Sequence, residues 1–238
     1  MSNEIDVDTH RHLTRQLDLI PLKVLNRPVT IIGCGAIGSF LGLQLAKMGM
    51  TNLIFFDHDT VSIENMSNQF YPRSAIGQNK ASALYDMVRL FVGDTEAEPM
   101  LYVPRKFGEQ HTDADNAKGI VVVAVDSMEA RRMVYESIKE MNFKVDYIID
   151  PRMSAEFFAM YVINPHDAKD QATYEKTLYS DEQAVPERCT AKSTVYTASL
   201  GAGLVTKAIK NILLRQPYPR NTQWDIAACR PMNMWSNQ

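Results

Sequence analysis

Cysteine is scarce in this chain, and the three present (Cys34, Cys189 and Cys229) stand too far apart to form a C-x-x-C pair. A disulfide framework and a zinc knuckle are thereby excluded, and no zinc is expected. An excess of one charge is also lacking: 25 Lys and Arg face 28 Asp and Glu, a net of −3. With no basic field to attract a phosphate backbone, nucleic acid is not an expected partner. No apolar run approaches the ~20 residues that a bilayer crossing requires, so no membrane span is expected. The opening residues, Met1-Ser2-Asn3-Glu4-Ile5-Asp6, are acidic and polar, the reverse of a secretory leader. What remains is ordinary: 45% hydrophobic and 22% charged residues, enough apolar material to offset chain entropy. The 238 residues are expected to make one α/β domain in the cytoplasm.

Strand and helix patterns alternate along the chain. Pro28-Val29-Thr30-Ile31-Ile32 reads as a short buried strand, and Ser39 to Met48 has helical spacing with Gly49 as its stop. Asn52 to Phe56 is a second strand, Lys80 to Val92 a helix, and 99–104 a further short strand. Gly119 to Val125 is the strongest strand pattern, followed by a helix over 127–142 and strands over 145–149 and 157–163. From Pro165 to Arg188 the pattern gives way to polar, charged sequence, read as a long surface segment within a crossover of about 165–192. Helical spacing returns from Thr194 to Leu214, and the tail beyond Pro217 shows no period. This order predicts a doubly wound, mostly parallel, Rossmann-like sheet with a crossover loop, a C-terminal helix and a tail.

Between the first strand and the first helix lies Gly33-x-Gly35-x-x-Gly38. Its chemistry follows from that context: Gly33 permits the tight turn, and Gly35 lets backbone approach phosphate with no Cβ in the way. Gly38 allows close packing of helix on strand, and the helix N-terminus offers unpaired N–H groups to an anion. Asp57 ends the next strand about 20 residues on, where a carboxylate can accept ribose hydroxyls. Nucleotide binding is the expectation. A tight turn without a ligand is the bland alternative, and this fingerprint by itself usually indicates NAD.

The stretch that follows departs from dehydrogenase habits. It runs Asp57-His58-Asp59-Thr60-Val61-Ser62-Ile63-Glu64-Asn65-Met66-Ser67-Asn68-Gln69, then Gly77-Gln78-Asn79-Lys80-Ala81. This resembles the ThiF/MoeB/HesA family of adenylating enzymes, relatives of ubiquitin-activating enzymes, whose patterns are D-x-D-x-V-x-x-x-N-x-x-R-Q and G-x-x-K-A. The resemblance covers residues 11 to 214 and is densest over 29–81. It implies ATP as the nucleotide, Asp57 on the ribose, Asn65 and Lys80 on the phosphates, and Asp59, Gln69 and Arg131 among the other nucleotide-binding residues. Val125-Asp126-Ser127-x-x-x-Arg131 matches the family's D-x-x-x-x-R, which implies Asp126 as the Mg²⁺ ligand. Arg131 would orient the strand end or hold a partner's C-terminal tail. Thr14-Arg15-Gln16 resembles the family's N-R-Q, whose arginine reaches across a homodimer to the partner's ATP. The family arginine of N-x-x-R-Q is Asn68 here, and Arg73 stands five residues on as a substitute if the loop folds back.

In the ubiquitin-activating branch the thioester cysteine commonly appears as C-T on a crossover loop, and Cys189-Thr190 falls in such a place. Arg188 and Lys192 flank it, and neighbouring positive charge raises thiolate content. An incidental cysteine is the equal alternative. Cys34, inside the glycine loop, reads as a packing residue.

The leading expectation is ATP-dependent adenylation of the C-terminal carboxylate of a small ubiquitin-like or sulfur-carrier protein, or a related peptide. One alternative is a non-catalytic homologue that binds nucleotide and docks a partner, motivated by Asn68. An NAD(P)-dependent oxidoreductase is a third. The whole chain, 1–238, is expected to form a single adenylation domain with a helical arm at about 1–25.

Overall fold

Uninterrupted apolar runs become the buried strands of one sheet in a computed structural model that describes residues 11–92, 100–110, 113–141, 144–179 and 193–235. The first is β1 (Val29–Ile32), followed by β2 (Leu53–Phe56), β3 (Leu101–Val103) and β4 (Gly119–Val123). Every residue of β1, β2 and β4 is buried, as strands covered on both faces require. β5 (Val145–Ser154), β6 (Phe157–Ile163), β7 (Asn221–Asp225) and β8 (Arg230–Trp235) complete an eight-stranded sheet of order β3-β2-β1-β4-β5-β6-β7-β8. The pairings from β3 to β5 are parallel, and those from β5 to β8 antiparallel.

The helices are α1 (Ala36–Lys47), α2 (Lys80–Val92), the short α3 (Asp113–Asn116), α4 (Met128–Met141), α5 (Ala168–Glu175) and α6 (Val195–Leu213). Neighbouring strand residues feed opposite cores, because successive side chains point to opposite faces. Ile31 and Phe55 pack with Leu41, Leu84 and Val205 of α1, α2 and α6. Ile32 and Phe56 pack with Val134, Ile138 and Tyr174 of α4 and α5. The sheet is therefore doubly wound, as its alternating pattern implied. β1 pairs with β2 on one side and β4 on the other, so the crevice where strand order reverses opens at the C-terminal ends of β1 and β4.

Gly49 stops α1 as expected. Its φ of +97° suits glycine, and the Met50 N–H reaches back to the Leu45 carbonyl at 3.0 Å, while the Gly49 N–H donates to Ala46. The arm before β1 packs on this stop: a Cβ at Gly49 would lie 2.6 Å from Leu13, and the Gln16 amide donates to the Met48 carbonyl at 2.5 Å.

Three expectations are corrected. The polar run after Pro165 is not loop throughout, because Asp167 caps α5 by accepting the Lys169 and Asp170 N–H groups, and Tyr174 is buried. The tail beyond Pro217 holds β7 and β8. β5 continues five residues past Ile149; there its parallel neighbour has ended and only β6 pairs with it, which is how the strand tolerates Pro151. Among the described residues no helix is long and apolar enough to cross a membrane.

Candidate functional site

A cavity of about 720 Å³ opens at the strand-order reversal, walled by the turns that follow β1 to β4 and by Pro151 and Met153 of β5. Gly33, Gly35, Ala36 and Ile37 form its floor. Gly33 adopts φ +94°, and a Cβ there would sit 2.6 Å from the Ala124 carbonyl oxygen, so its role is backbone packing against the β4 end. Gly38 is likewise structural, since its Cβ would meet the Gly33 carbonyl at 2.0 Å. Gly35 differs: a Cβ there would meet nothing within 4 Å among the described residues beyond its own chain neighbours. Only a ligand in the cavity would feel that missing Cβ.

Asp57 follows directly on β2, and its carboxylate takes the Cys34 N–H at 2.7 Å and the Asp59 N–H at 2.8 Å. Burial raises its pKa, and the two backbone donors and the Lys80 charge offset that only in part. Lys80, first residue of α2, is buried to 8% exposure and donates to Asp59 at 3.0 Å. His58 approaches the other Asp59 oxygen at 3.3 Å. Burial pushes the Asp59 carboxyl up, but the Lys80 hydrogen bond and the charges of Lys80, His58 and Lys106 hold it below the usual range.

Asn68 and Gln69 line the same cavity, whereas Asn65 does not. Asn65 instead positions them: its side-chain oxygen takes the Ser62 N–H at 2.9 Å, and its carbonyl takes the Asn68 and Gln69 N–H groups at 3.3 and 3.0 Å. Phe70 N–H on Ser39 Oγ, and the Tyr71 hydroxyl on the Cys34 and Lys80 carbonyls, fasten this turn to the glycine loop. Arg73, by contrast, is exposed and does not line the cavity.

Asp126 lies three residues past the end of β4 rather than closing the strand, and it is exposed within the cavity. No hydrogen bond or ion pair engages its carboxylate among the described residues. The α4 cap is Ser127, whose hydroxyl accepts the Ala130 N–H. Arg131 is locked in place: Nε donates to Asp150 at 2.9 Å and the Nη groups to the Ser127 and Pro151 carbonyls. Asp150, fully buried, also binds Arg152 at 2.7 Å and the Tyr174 hydroxyl at 2.9 Å. Of the two roles expected for Arg131, orienting a strand end is the one its contacts perform.

Three buried side-chain oxygens without a hydrogen-bond partner among the described residues, Asn68 Oδ1, Gln69 Oε1 and Ser193 Oγ, belong to residues lining this cavity. Buried polar groups are nearly always paired, so their convergence marks a place for a polar ligand. The oxygens accept from hydroxyl and amino groups, and the amide nitrogens on the same side chains donate to phosphate oxygens.

Sequence reasoning missed the wall supplied by the loop after β3: Arg105, Lys106 and Phe107. Asp113, fully buried, pairs with Arg105 and takes the Gly108 and Gln110 N–H groups at 3.2 and 3.1 Å, which fixes this loop. Arg15 is exposed on the arm and does not line the cavity. Cys189, with Arg188 and Lys192, lies outside the described residues. Cys34 is fully buried, as its packing role requires.

Comparison with known proteins agrees with this geometry. A model of the ThiF family matches residues 15–237. The ubiquitin-like modifier-activating enzyme 5 of Dictyostelium discoideum is 28% identical over 128 residues, 50% of this chain and 34% of that protein. The Nedd8-activating enzyme E1 catalytic subunit of Drosophila melanogaster is 32% identical over 124 residues, 51% of this chain and 27% of that one. The matches thus span about a third of these curated relatives. In fold, the chain resembles PaaA (TM-score 0.73, 16% identity, covering 98% of this chain and 84% of that one). It resembles E. coli MccB with ATP equally (TM-score 0.73, 15% identity, 98% and 72%).

Proposed function

The chain belongs to the ThiF family, and on that footing we propose that it adenylates the C-terminal carboxylate of a ubiquitin-like protein or peptide at the expense of ATP. The convergence of unpaired Asn68, Gln69 and Ser193 oxygens with Lys80 and a free Asp126 in one cavity carries the reading. Relatives named as ubiquitin-like modifier-activating enzymes support it, as do structures of MccB with ATP and with MccA.

The acceptor carboxylate is ionised at neutral pH, so no general base is needed. It attacks the α-phosphorus in line; an acyl C–O–P linkage forms, the α–β P–O bond breaks, and pyrophosphate leaves with the electron pair. This chain's contribution is positioning and charge. Asp57, already oriented by two N–H donors, accepts the ribose hydroxyls. Gly35 and the N-terminus of α1 take the phosphates. The Lys80 ammonium, held by Asp59, stabilises charge developing on the departing oxygen.

Asp126 fits a hard divalent cation, being a free carboxylate beside the phosphate-binding loop. Asp57, His58 and Asp59 also cluster within 4.8 Å, but both carboxylates there are engaged already. Mg²⁺ at Asp126 would supply neutralisation of phosphate charge. A homodimer in which Arg15 serves the partner's site, and thioester formation on Cys189, belong to this reading as proposals from the family resemblance.

The test is ATP–pyrophosphate exchange driven by ubiquitin-like proteins or peptides with a free C-terminus, against the same acceptors amidated. Exchange with the free form alone is expected. Calorimetric binding of NAD in preference to Mg·ATP would overturn the reading. Binding of ATP without exchange for any acceptor would favour the nucleotide-binding, partner-docking alternative, in line with Asn68 at the family arginine's position.

A further inference from the structure

Among the described residues four Lys and Arg side chains line the cavity, Lys80, Arg105, Lys106 and Arg131, and three of them already have a carboxylate. Lys80 is paired with Asp59, Arg105 with Asp113 and Arg131 with Asp150. No hydrogen bond or ion pair among the described residues engages the Lys106 ammonium, although its backbone carbonyl accepts the Glu109 N–H at 3.4 Å. It is exposed at the cavity rim, close enough to Asp59 to act on that carboxylate, which Lys80 and His58 already flank. Its backbone is held, because the neighbouring Arg105 is clamped by buried Asp113 and the next residue, Phe107, packs edge-on against Phe56 at 5.2 Å.

We infer that Lys106 is a phosphate-binding residue, supplying from the β3 loop the positive charge that Asn68 does not provide on the opposite turn. The inference rests on the adenylation reading and adds a residue to it. An ammonium on a flexible stem at the rim suits the outer phosphates of ATP, the part that departs as pyrophosphate. A guanidinium at position 68 would have offered a two-pronged donor that an amide cannot match in charge. Arg73 does not fill the role, since it lies exposed outside the cavity. The mouth of the site then carries the charge complement of a polyphosphate, drawn from a different loop.

Calorimetry on the full chain with Mg·ATP and with AMP tests this. Lys106→Ala is expected to weaken ATP binding about tenfold, the scale of one partly solvated charge-assisted hydrogen bond, and to leave AMP binding unchanged. Lys106→Arg keeps the affinity, and adding Asn68→Arg to Lys106→Ala restores it. Equal losses for ATP and AMP would place Lys106 on the nucleoside or the α-phosphate rather than the departing phosphates, and unchanged ATP binding would remove it from the site. Either result overturns the inference while leaving adenylation standing. Failure of the wild-type chain to bind ATP would overturn both.

Discussion

The Asp57 carboxylate holds the Cys34 N–H at 2.7 Å, so the acid that ends β2 is hydrogen-bonded to the middle of the glycine loop after β1. The carboxylate proposed for the ribose and the loop proposed for the phosphates are thereby tied directly to each other. At 8% exposure, the Asp57 carboxylate ionises only against the cost of burial, which raises its pKa.

That cost gives a pH dependence of known sign. The folded-state pKa of Asp57 lies above its unfolded value of about 3.9, so the folded state binds more protons between the two values. The contribution of Asp57 to stability is full below pH ~4 and is lost as pH rises through its raised folded value. Urea unfolding of the apo protein should show Asp57→Asn removing this decline, while ATP affinity falls in the same variant.

Gly35 and Gly38 should separate function from folding. Gly35→Ala adds a methyl to open cavity space and should change stability by at most ~1 kcal/mol, with ATP binding clearly weakened. Gly38→Ala drives a methyl onto the Gly33 carbonyl and should destabilise by at least the ~1–3 kcal/mol of an overpacked core. Thermal melts with and without ATP distinguish the two.

Lys80→Met is expected to reduce pyrophosphate exchange by ~100-fold or more, the scale of a lost donor at developing charge. Stability at neutral pH should change little, because Asp59 is half exposed and water takes over its solvation. The small part that does change is tied to Asp59, whose carboxyl sits below its ordinary range in the fold. It is present above the unfolded value of about pH 3.9 and is lost as the solution is acidified through the lower folded value.

Asp150→Ala should be severe. It leaves the Arg131 and Arg152 guanidiniums without their shared buried carboxylate, and breaking such a pair costs about 3–5 kcal/mol. Denaturant midpoints report the loss. The cavity wall at Pro151 and Met153 should loosen with it, seen as faster exchange of the Arg152 and Met153 amides.

The nucleotide end of the fold was legible because its chemistry is local. Gly33, Gly35, Gly38 and Asp57 act through spacing, and the strands around them are uninterrupted apolar runs. β7 was illegible for a physical reason: Asn-Thr-Gln-Trp-Asp lies in the antiparallel extension, and Thr222 is 2% exposed although polar. α5 buries little beyond Asp170 and Tyr174, too few residues to impose a period. Lys106 and Arg105 carry no motif; only parallel pairing of β3 with β2 brings their loop beside Asp59. Asn65 kept its place in the motif, yet its carbonyl and amide serve the turn that presents Asn68 and Gln69.

The stop at Gly49 turns α1 into a ruler. Its 12 residues span ~18 Å; the glycine loop sits at one end, and the arm bearing Arg15 is pinned to the other through Leu13 and Gln16. An arginine side chain is far shorter than that rod, and the rod does not bend toward its own start. Arg15 is thus held at a fixed remove from the nucleotide cavity of its own chain. The contact proposed for Arg15 with a phosphate suits this spacing when that phosphate lies on a second molecule, so the length of one helix becomes an argument for a site shared between copies.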